Sequence, residues 1–350
     1  MRIERESLLH ALESIQPGLS PREVLEQSSC LIFQNGRIQT FNDEIAASVT
    51  SPFPKNFTGA IQAEKFLELL RKLTEDVLEF EETESELRFV GKGRKAGLRM
   101  EKEITLPISQ IEKPKTWTKL NDGFSEAVNF VQQCAGKDES EFALTCIHIT
   151  SKYVEAHNNF QLCRWKLKTG FTSPVLVRQS AIKHVAMLGL TDVSETESWI
   201  HFKGQNGLVL SCRRYIMDYQ DLDSIIKQEI SEPATLPRGL VEATEKAQIM
   251  LDNTDEGGHV QIELKPGKLR IRGEGVRGWY EEPKKVQYDG RPITFMIPPA
   301  LLIDLIKKHN ECFLSEDKIK VDGGQYVYIS VLVRPKEKEA VDDQEESEDE

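Results

Sequence analysis

The sequence predicts an α+β protein of three similar domains, each with two helices packed on antiparallel sheets. A pattern of one strand, one helix and three strands occurs in three stretches: Phe57 to Met100, Pro174 to Ile216 and Pro292 to Arg334. The strand ends Ile61, Val177 and Ile297 are spaced about 120 residues apart, which indicates repeated domains, since solenoid repeats are far shorter. A chain of 350 residues has the length for three domains of roughly 100 to 150 residues each.

The first domain contains the same pattern twice. A strand at Met1 to Arg5 precedes a helix at Glu6 to Ile15, which Pro17-Gly18 ends. Asn35-Gly36 is a strong signal for a two-residue hairpin. The strands around it are expected at Ser28 to Gln34, Arg37 to Phe41 and Glu44 to Thr50.

Two proline-containing segments without helical periodicity are expected to be linkers, at Ile104 to Leu120 and Met217 to Leu236. The second domain begins with a helix at Asp122 to Ala135. Its next strands are expected at Glu141 to Thr150, Lys152 to Ala156 and Phe160 to Lys168. The third domain runs from a helix at Arg238 to Leu251 to a strand at Gln325 to Arg334. The expected domains are therefore 1–112, 118–217 and 232–335.

The net charge of −12 is unevenly distributed along the chain. Residues 336–350 hold nine acidic and two basic side chains, and this tail is expected to be disordered. The remaining mildly acidic chain can still present a local basic surface. No apolar stretch approaches the roughly 18 residues of a membrane span and Met1 opens no signal-peptide pattern, so a cytoplasmic protein without a membrane partner is expected.

No sequence motif indicates catalysis, a cofactor or a metal. The six cysteines form no CxxC pair and are expected to be buried thiols. Cys146 and His148 could begin a metal site, but no second pair of ligands stands nearby. Gly273 to Gly278 fits GxGxxG, yet the following Trp279 to Pro283 does not start a helix as a dinucleotide site requires. A glycine-rich hairpin is therefore predicted there, and an enzyme is not.

Basic side chains lie on the polar faces of the three repeated helices: Lys65, Arg71 and Lys72 in the first, Lys183 in the second, and Lys307 and Lys308 in the third. One interpretation is an ordinary solvated helix face. The other is a surface that contacts a phosphate backbone without reading its sequence. Because basic residues recur in all three repeats, both interpretations stay open.

Four segments resemble the bacterial DNA sliding clamp family, the beta subunit of the replicative DNA polymerase III: residues 1–15, Leu19 to Arg22, residues 175–188 and Tyr215 to Ile226. The resemblance extends over residues 1–334 and implies the DNA clamp fold. It implies a head-to-tail homodimer that closes a ring around duplex DNA of any sequence. Such a protein is a processivity factor, and short peptide motifs of the replicative polymerase and the clamp loader would bind to it.

The resemblance assigns three groups of residues. The DNA-facing group is Arg22, Lys65, Arg71, Lys72, Lys183, Lys307 and Lys308. The partner-peptide pocket is His157, Asn159, Phe160, Gln161, Leu162, Arg178, Ile182, Val331, Leu332, Val333 and Arg334. The dimer interface places Arg94, Lys95 and Arg99 opposite Glu281 and Glu282.

The chain departs from the family at the pocket, where Asn159 and Gln161 replace a usual glycine and a usual basic residue. For Leu162, Ile182 and Val331, simple core packing is the alternative to a pocket role. Two other classes of function also remain: a regulatory protein with this fold that never closes on DNA, and an enzyme that binds a nucleotide at Gly273 to Gly278.

Overall fold

The computed structural model describes residues 1–91, 93–230, 232–252, 258–315 and 317–331. The chain divides into two compact units, unit 1 (Met1–Asp221) and unit 2 (Leu222–Glu350). The tail predicted at 336–350 lies outside the described residues. The predicted boundary near residue 112 falls inside unit 1, where one sheet continues across it.

The α-helices in the described residues of unit 1 are α1 Arg5–Ser14, α2 Ala63–Lys72, α3 Phe124–Val131 and α4 Gln179–Met187. Its strands are β1 Arg2–Glu4, β2 Cys30–Gln34, β3 Arg37–Phe41, β4 Ile45–Thr50, β5 Gly59–Gln62, β6 Val77–Glu82, β7 Glu86–Gly91, β8 Arg94–Glu101, β9 Thr118–Lys119, β10 Cys146–Ile149, β11 Tyr153–His157, β12 Gln161–Lys166, β13 Val175–Arg178, β14 Asp192–Glu195, β15 Trp199–Lys203 and β16 Val209–Arg213.

A twelve-stranded sheet runs through unit 1 in the order β1-β6-β7-β8-β5-β2-β3-β4-β16-β15-β14-β9. The antiparallel pairing of β4 with β16 joins the first two predicted domains. Four further strands follow the order β13-β10-β11-β12. The predicted hairpin at Asn35-Gly36 is confirmed: both residues have positive φ angles, 54° and 71°, which a type I′ turn requires.

Unit 2 contains α5 Asp223–Ile226, α6 Leu240–Gln248 and α7 Pro299–Lys308. Its strands are β17 Glu232–Thr235, β18 Val260–Lys265, β19 Lys268–Gly275, β20 Gly278–Lys285, β21 Ile293–Ile297, β22 Glu311–Leu314, β23 Lys318–Asp322 and β24 Tyr326–Val331. They are ordered β24-β23-β22-β17 in one group and β20-β19-β18-β21 in the other. The predicted glycine-rich hairpin is confirmed by the β19–β20 pairing, in which Gly275 lies opposite Gly278.

The helices pack in pairs: α1 with α2, α3 with α4, and α6 with α7. In α2, Phe66, Leu67 and Leu70 are buried while the residues between them are exposed or half-buried. This apolar face is what holds a helix of ten residues in place, since so short a helix is marginal alone in water. The prediction of an α+β protein with two helices against antiparallel sheets in each repeat is confirmed.

Some predicted element bounds were wrong. The strand predicted from Glu141 begins only at Cys146, because Glu139–Thr145 forms a 3-10 helix that is kinked at Glu141. The carboxylate of Asp138 starts that helix by accepting the N–H of Ser140 at 2.9 Å. The predicted linkers also carry structure, since β9 lies in the first and α5 and β17 lie in the second.

Candidate functional site: a cavity in unit 1

A cavity of about 340 Å³ opens on unit 1. Three segments line it: Glu141 to Leu144 of the 3-10 helix, His157 and Asn159 after β11, and Asp218 to Gln220 beyond β16. This volume lies at the lower end of the roughly 300 to 1,000 Å³ typical of ligand pockets. The cavity therefore suits a few side chains of a peptide.

The turn between β11 and β12 is fixed by amide side chains. Asn158 Oδ1 accepts the N–H groups of Phe160 at 3.2 Å and Gln161 at 3.0 Å. Asn159 adopts a positive φ of 69°, a conformation that asparagine tolerates better than most residues. Its Nδ2 donates to Glu141 Oε2 at 2.8 Å, which ties the turn to the 3-10 helix across the cavity.

A buried charged cluster lies next to the cavity. Glu155 is 1% exposed, and its two carboxylate oxygens contact His148 Nδ1 at 2.7 Å and Arg164 Nε at 2.6 Å. The ring of Tyr219 packs between two histidine rings, with centroid distances of 4.8 Å to His148 and 5.1 Å to His157. Burial raises the pKa of Tyr219 well above its ordinary value, so this wall of the cavity is a neutral aromatic ring.

His157 is one of the lining residues with a polar side-chain atom that has no hydrogen-bond partner among the described residues. It is 4% exposed, and burial lowers the pKa of its ring although Glu155 and Glu141 oppose that shift. Among the described residues its Nε2 has no hydrogen-bond partner. A neutral imidazole has one acceptor nitrogen, so a ligand N–H can bind here in one of the two tautomers.

The rim of the cavity is acidic. Glu141 and Asp218 are exposed, and the lining residues that the structure describes include neither lysine nor arginine. The guanidinium of Arg178 lies nearby, 5.2 Å from the ring centre of Phe142. It is bound by the carboxylates of Glu44 and Glu139, so its charge is already balanced.

Several residues predicted for the partner-peptide pocket lie at or near this cavity. His157 and Asn159 line it, Arg178 borders Phe142, and Phe160 is 66% exposed on the same turn. Gln161, Leu162 and Ile182 are buried at 8%, 5% and 0% exposure, the placement of core residues. Val331 belongs to unit 2 and is 37% exposed, whereas Leu332, Val333 and Arg334 lie outside the described residues.

Sequence reasoning missed two of the three lining segments. Residues 141–144 were assigned to a strand, and Asp218 to Gln220 to a linker. For the segment Asp218 to Gln220, a signal in the sequence is Tyr219, an aromatic residue inside a polar connection, because tyrosine is enriched at binding interfaces.

The predicted DNA-facing residues are mostly exposed. Lys65 pairs with Glu68 at 3.1 Å and Arg71 with Glu13 at 2.9 Å, while Lys183 is half-buried. Arg71 and Lys72 end α2, and Lys307 and Lys308 end α7. Cations in the last turn of a helix interact favourably with the helix dipole. This effect explains part of the recurrence of basic residues without any contact to DNA. Arg22 is exposed.

The predicted dimer interface maps to two strand edges. Residues 94–99 of β8 pair with β7, and in the described chain β5 joins β8 only at Met100 and Glu101. Lys95 and Arg99 are exposed there, but Arg94 binds Glu75 of the same chain at 2.5 Å.

The second edge is β20, which is outermost in its group of strands. Its Glu281 contacts Arg270 at 3.3 Å and Arg272 at 3.4 Å. Its Glu282 contacts Lys284 at 2.6 Å. That hydrogen bond lowers the pKa of Glu282, so both carboxylates already have partners within unit 2.

The six cysteines are buried and unpaired, as expected. Within the described ranges no group of histidine, cysteine and acidic residues could hold a metal ion. His148, considered above for a metal site, instead contacts Glu155. Among the described residues no helix is both long and apolar enough to cross a membrane.

No protein-family model matches the chain. No curated protein matches it either. Several solved structures match the chain. A sliding clamp, DNA polymerase III subunit beta, from Bartonella birtlesii bound to griselimycin is 14% identical with a TM-score of 0.79, covering 96% of this chain and 99% of that one. The DNA polymerase III beta chain from Streptococcus pneumoniae is 19% identical with a TM-score of 0.77, covering 95% and 99%.

The DNA polymerase sliding clamp from Bacillus subtilis is 14% identical with a TM-score of 0.76, covering 95% of this chain and 98% of that one. At such low identities the similarity establishes the fold. The predicted DNA clamp fold is therefore confirmed over nearly the full length of this chain and of these structures.

Proposed function

We propose that this protein is a sliding clamp, a processivity factor that encircles duplex DNA as a head-to-tail homodimer in the cytoplasm. The observation that carries the proposal is the likeness to sliding clamps from several bacteria over 95% or more of both chains. In this proposal the three domains predicted at 1–112, 118–217 and 232–335 are the repeating units of the ring. The protein holds its partners on DNA topologically and needs no catalytic site of its own.

Contact with DNA would use the exposed basic residues of the helix pairs. Their number is small, and two of them are balanced by Glu68 and Glu13. Weak contact is what sliding requires, because each neutralised phosphate adds salt-dependent affinity. An acidic chain otherwise discourages unproductive DNA contact.

Partner binding would use the unit 1 cavity. Its apolar lining residues, among them Phe142 and Leu144, and its polar lining residues fit the general mode in which a short peptide places its anchor residues into a preformed pocket. The replicative polymerase and the clamp loader are the expected partners, each through a short peptide motif.

The alternative of a nucleotide-dependent enzyme is less well supported. A Cβ added at Gly273 would lie 2.1 Å from the carbonyl oxygen of Ala247, and one at Gly275 would lie 2.3 Å from that of Met250. These glycines let β19 approach α6 and the turn after it. Close packing thus accounts for the motif without a ligand.

The test of the proposal combines mass and topology. Native mass spectrometry should give twice 39.8 kDa. The double variant Lys95→Glu with Arg99→Glu should weaken the dimer. The control, Lys113→Glu with Lys115→Glu, should leave it intact. The dimer, incubated at high concentration with nicked circular plasmid, should stay on the circle in high salt and leave once the plasmid is cut. A monomer, or equal retention on circular and linear DNA, would contradict the proposal.

A further inference from the structure

The charge and polarity of the residues that line the cavity restrict which peptides it can bind. We infer that the unit 1 cavity selects a peptide whose apolar anchor is flanked by a lysine or an arginine. This inference rests on the proposed function, because it specifies the partner at the same site. It follows from the apolar residues in the lining and the charge of the rim, and an unpartnered nitrogen of His157 adds a polar contact for a peptide backbone.

The anchor would contact the apolar part of the cavity. Phe142, Ala143, Leu144 and Tyr219 line it and are half-buried. Two exposed apolar residues are chain neighbours of lining residues: Phe160 follows Asn159, and Met217, at 40% exposure, precedes Asp218. Clustered apolar surface of this kind marks binding sites more often than isolated exposed residues do.

The flanking charge would meet the rim. Glu141 and Asp218 come from separate segments and lie on the same opening. The neighbouring cation, Arg178, is bound by Glu44 and Glu139. An acidic flank would therefore meet like charge without compensation, whereas a basic flank would meet complementary charge. Such complementarity mainly selects among partners.

His157 supplies an observation independent of charge. Its ring is 4% exposed, it lines the cavity, and its Nε2 has no hydrogen-bond partner among the described residues. Buried polar groups in proteins are nearly always hydrogen-bonded. In one tautomer a peptide N–H would satisfy this nitrogen, and in the other a peptide carbonyl would, so either tautomer fits a peptide backbone.

The experiment measures fluorescence anisotropy with three labelled peptides that share one apolar core and differ only in the flanks, which are lysine, glutamine or glutamate. The full chain should bind the lysine peptide about tenfold more tightly than the glutamate peptide at low salt, with a smaller ratio at high salt. Glu141→Gln with Asp218→Asn should bring the ratio below about twofold. Glutamine at 141 retains an oxygen to accept from Asn159, so the turn should persist.

Glu64→Gln with Glu84→Gln is the matched control, since both residues are exposed in unit 1 and are not lining residues. It should keep the tenfold ratio. Ala143→Trp, which fills the cavity, should abolish binding while the melting temperature shows an intact fold. Equal affinity for the three peptides would overturn the charge selection and leave a peptide site. Absence of binding by all three peptides would overturn the peptide site as well. The proposed ring around DNA is tested independently, by retention of the dimer on the circular plasmid.

Discussion

The ionisation of three histidines links the stability of this protein to pH. Burial lowers the pKa of His157, His184 and His201, and for His201 the value falls to about 4. His201 is 1% exposed and its Nδ1 lies 2.8 Å from Ser211 Oγ. Its pKa in the unfolded chain is about 6.5. The folded state therefore favours the neutral form of the His201 ring.

Stability should fall as the pH drops from about 6.5 toward 4, because the unfolded chain binds a proton that folded His201 refuses. The loss from His201 between about pH 7.5 and about pH 5 is roughly 2 kcal/mol. Urea titrations followed by tryptophan fluorescence at both pH values should show it. His201→Gln should reduce the dependence on pH, with His157 and His184 supplying what is left, and exposed His10→Gln should not reduce it. An unchanged dependence in the His201 variant would contradict the assignment.

At the scale of elements, hairpins were the most predictable features. β3 has the predicted bounds, Arg37 to Phe41, since the alternating pattern and the Asn35-Gly36 turn are local signals. The 3-10 helix Glu139–Thr145 was missed because its apolar residues, Phe142 to Leu144, lie next to the apolar residues of β10 and resemble the start of that strand. What decides its conformation is a cap at Asp138 and a bond from Thr145 Oγ1 to the Phe142 carbonyl at 2.7 Å.

The contact between α6 and β19 depends on Gly273. A methyl group there would lie 2.1 Å from the Ala247 carbonyl oxygen and force the helix and the strand apart. Gly273→Ala should therefore destabilise unit 2 by about 1 to 3 kcal/mol, the usual cost of overpacking. Thermal unfolding measures the loss. Gly239→Ala is the control, because the nearest atom is 3.7 Å from its added methyl. Equal melting temperatures for both variants would show that the contact relaxes freely.

At the scale of the whole molecule, repeat spacing and resemblance predicted the fold, and the cavity was only partly predictable. His157 and Asn159 were identified through the resemblance, but the cavity joins segments near residues 141, 157 and 218. No local periodicity links positions so far apart in the chain. The acidity of its rim could also not be inferred, because with 57 acidic residues single carboxylates carry no signal until folding brings two together.

The balance between an acidic chain and a few exposed cations leads to a prediction about DNA. Arg22, Lys72 and Lys307 are exposed members of the predicted DNA-facing group. Replacing all three with glutamine should weaken binding to every duplex sequence alike and reduce the slope of log K against log salt by about 0.9 for each lost phosphate contact. Titrations of two unrelated duplexes at several salt concentrations measure both effects. The same change at exposed Lys113, Lys115 and Lys152 should leave the slope in place. A marked preference for one duplex, or an equal loss in both variants, would show that these three residues do not face DNA.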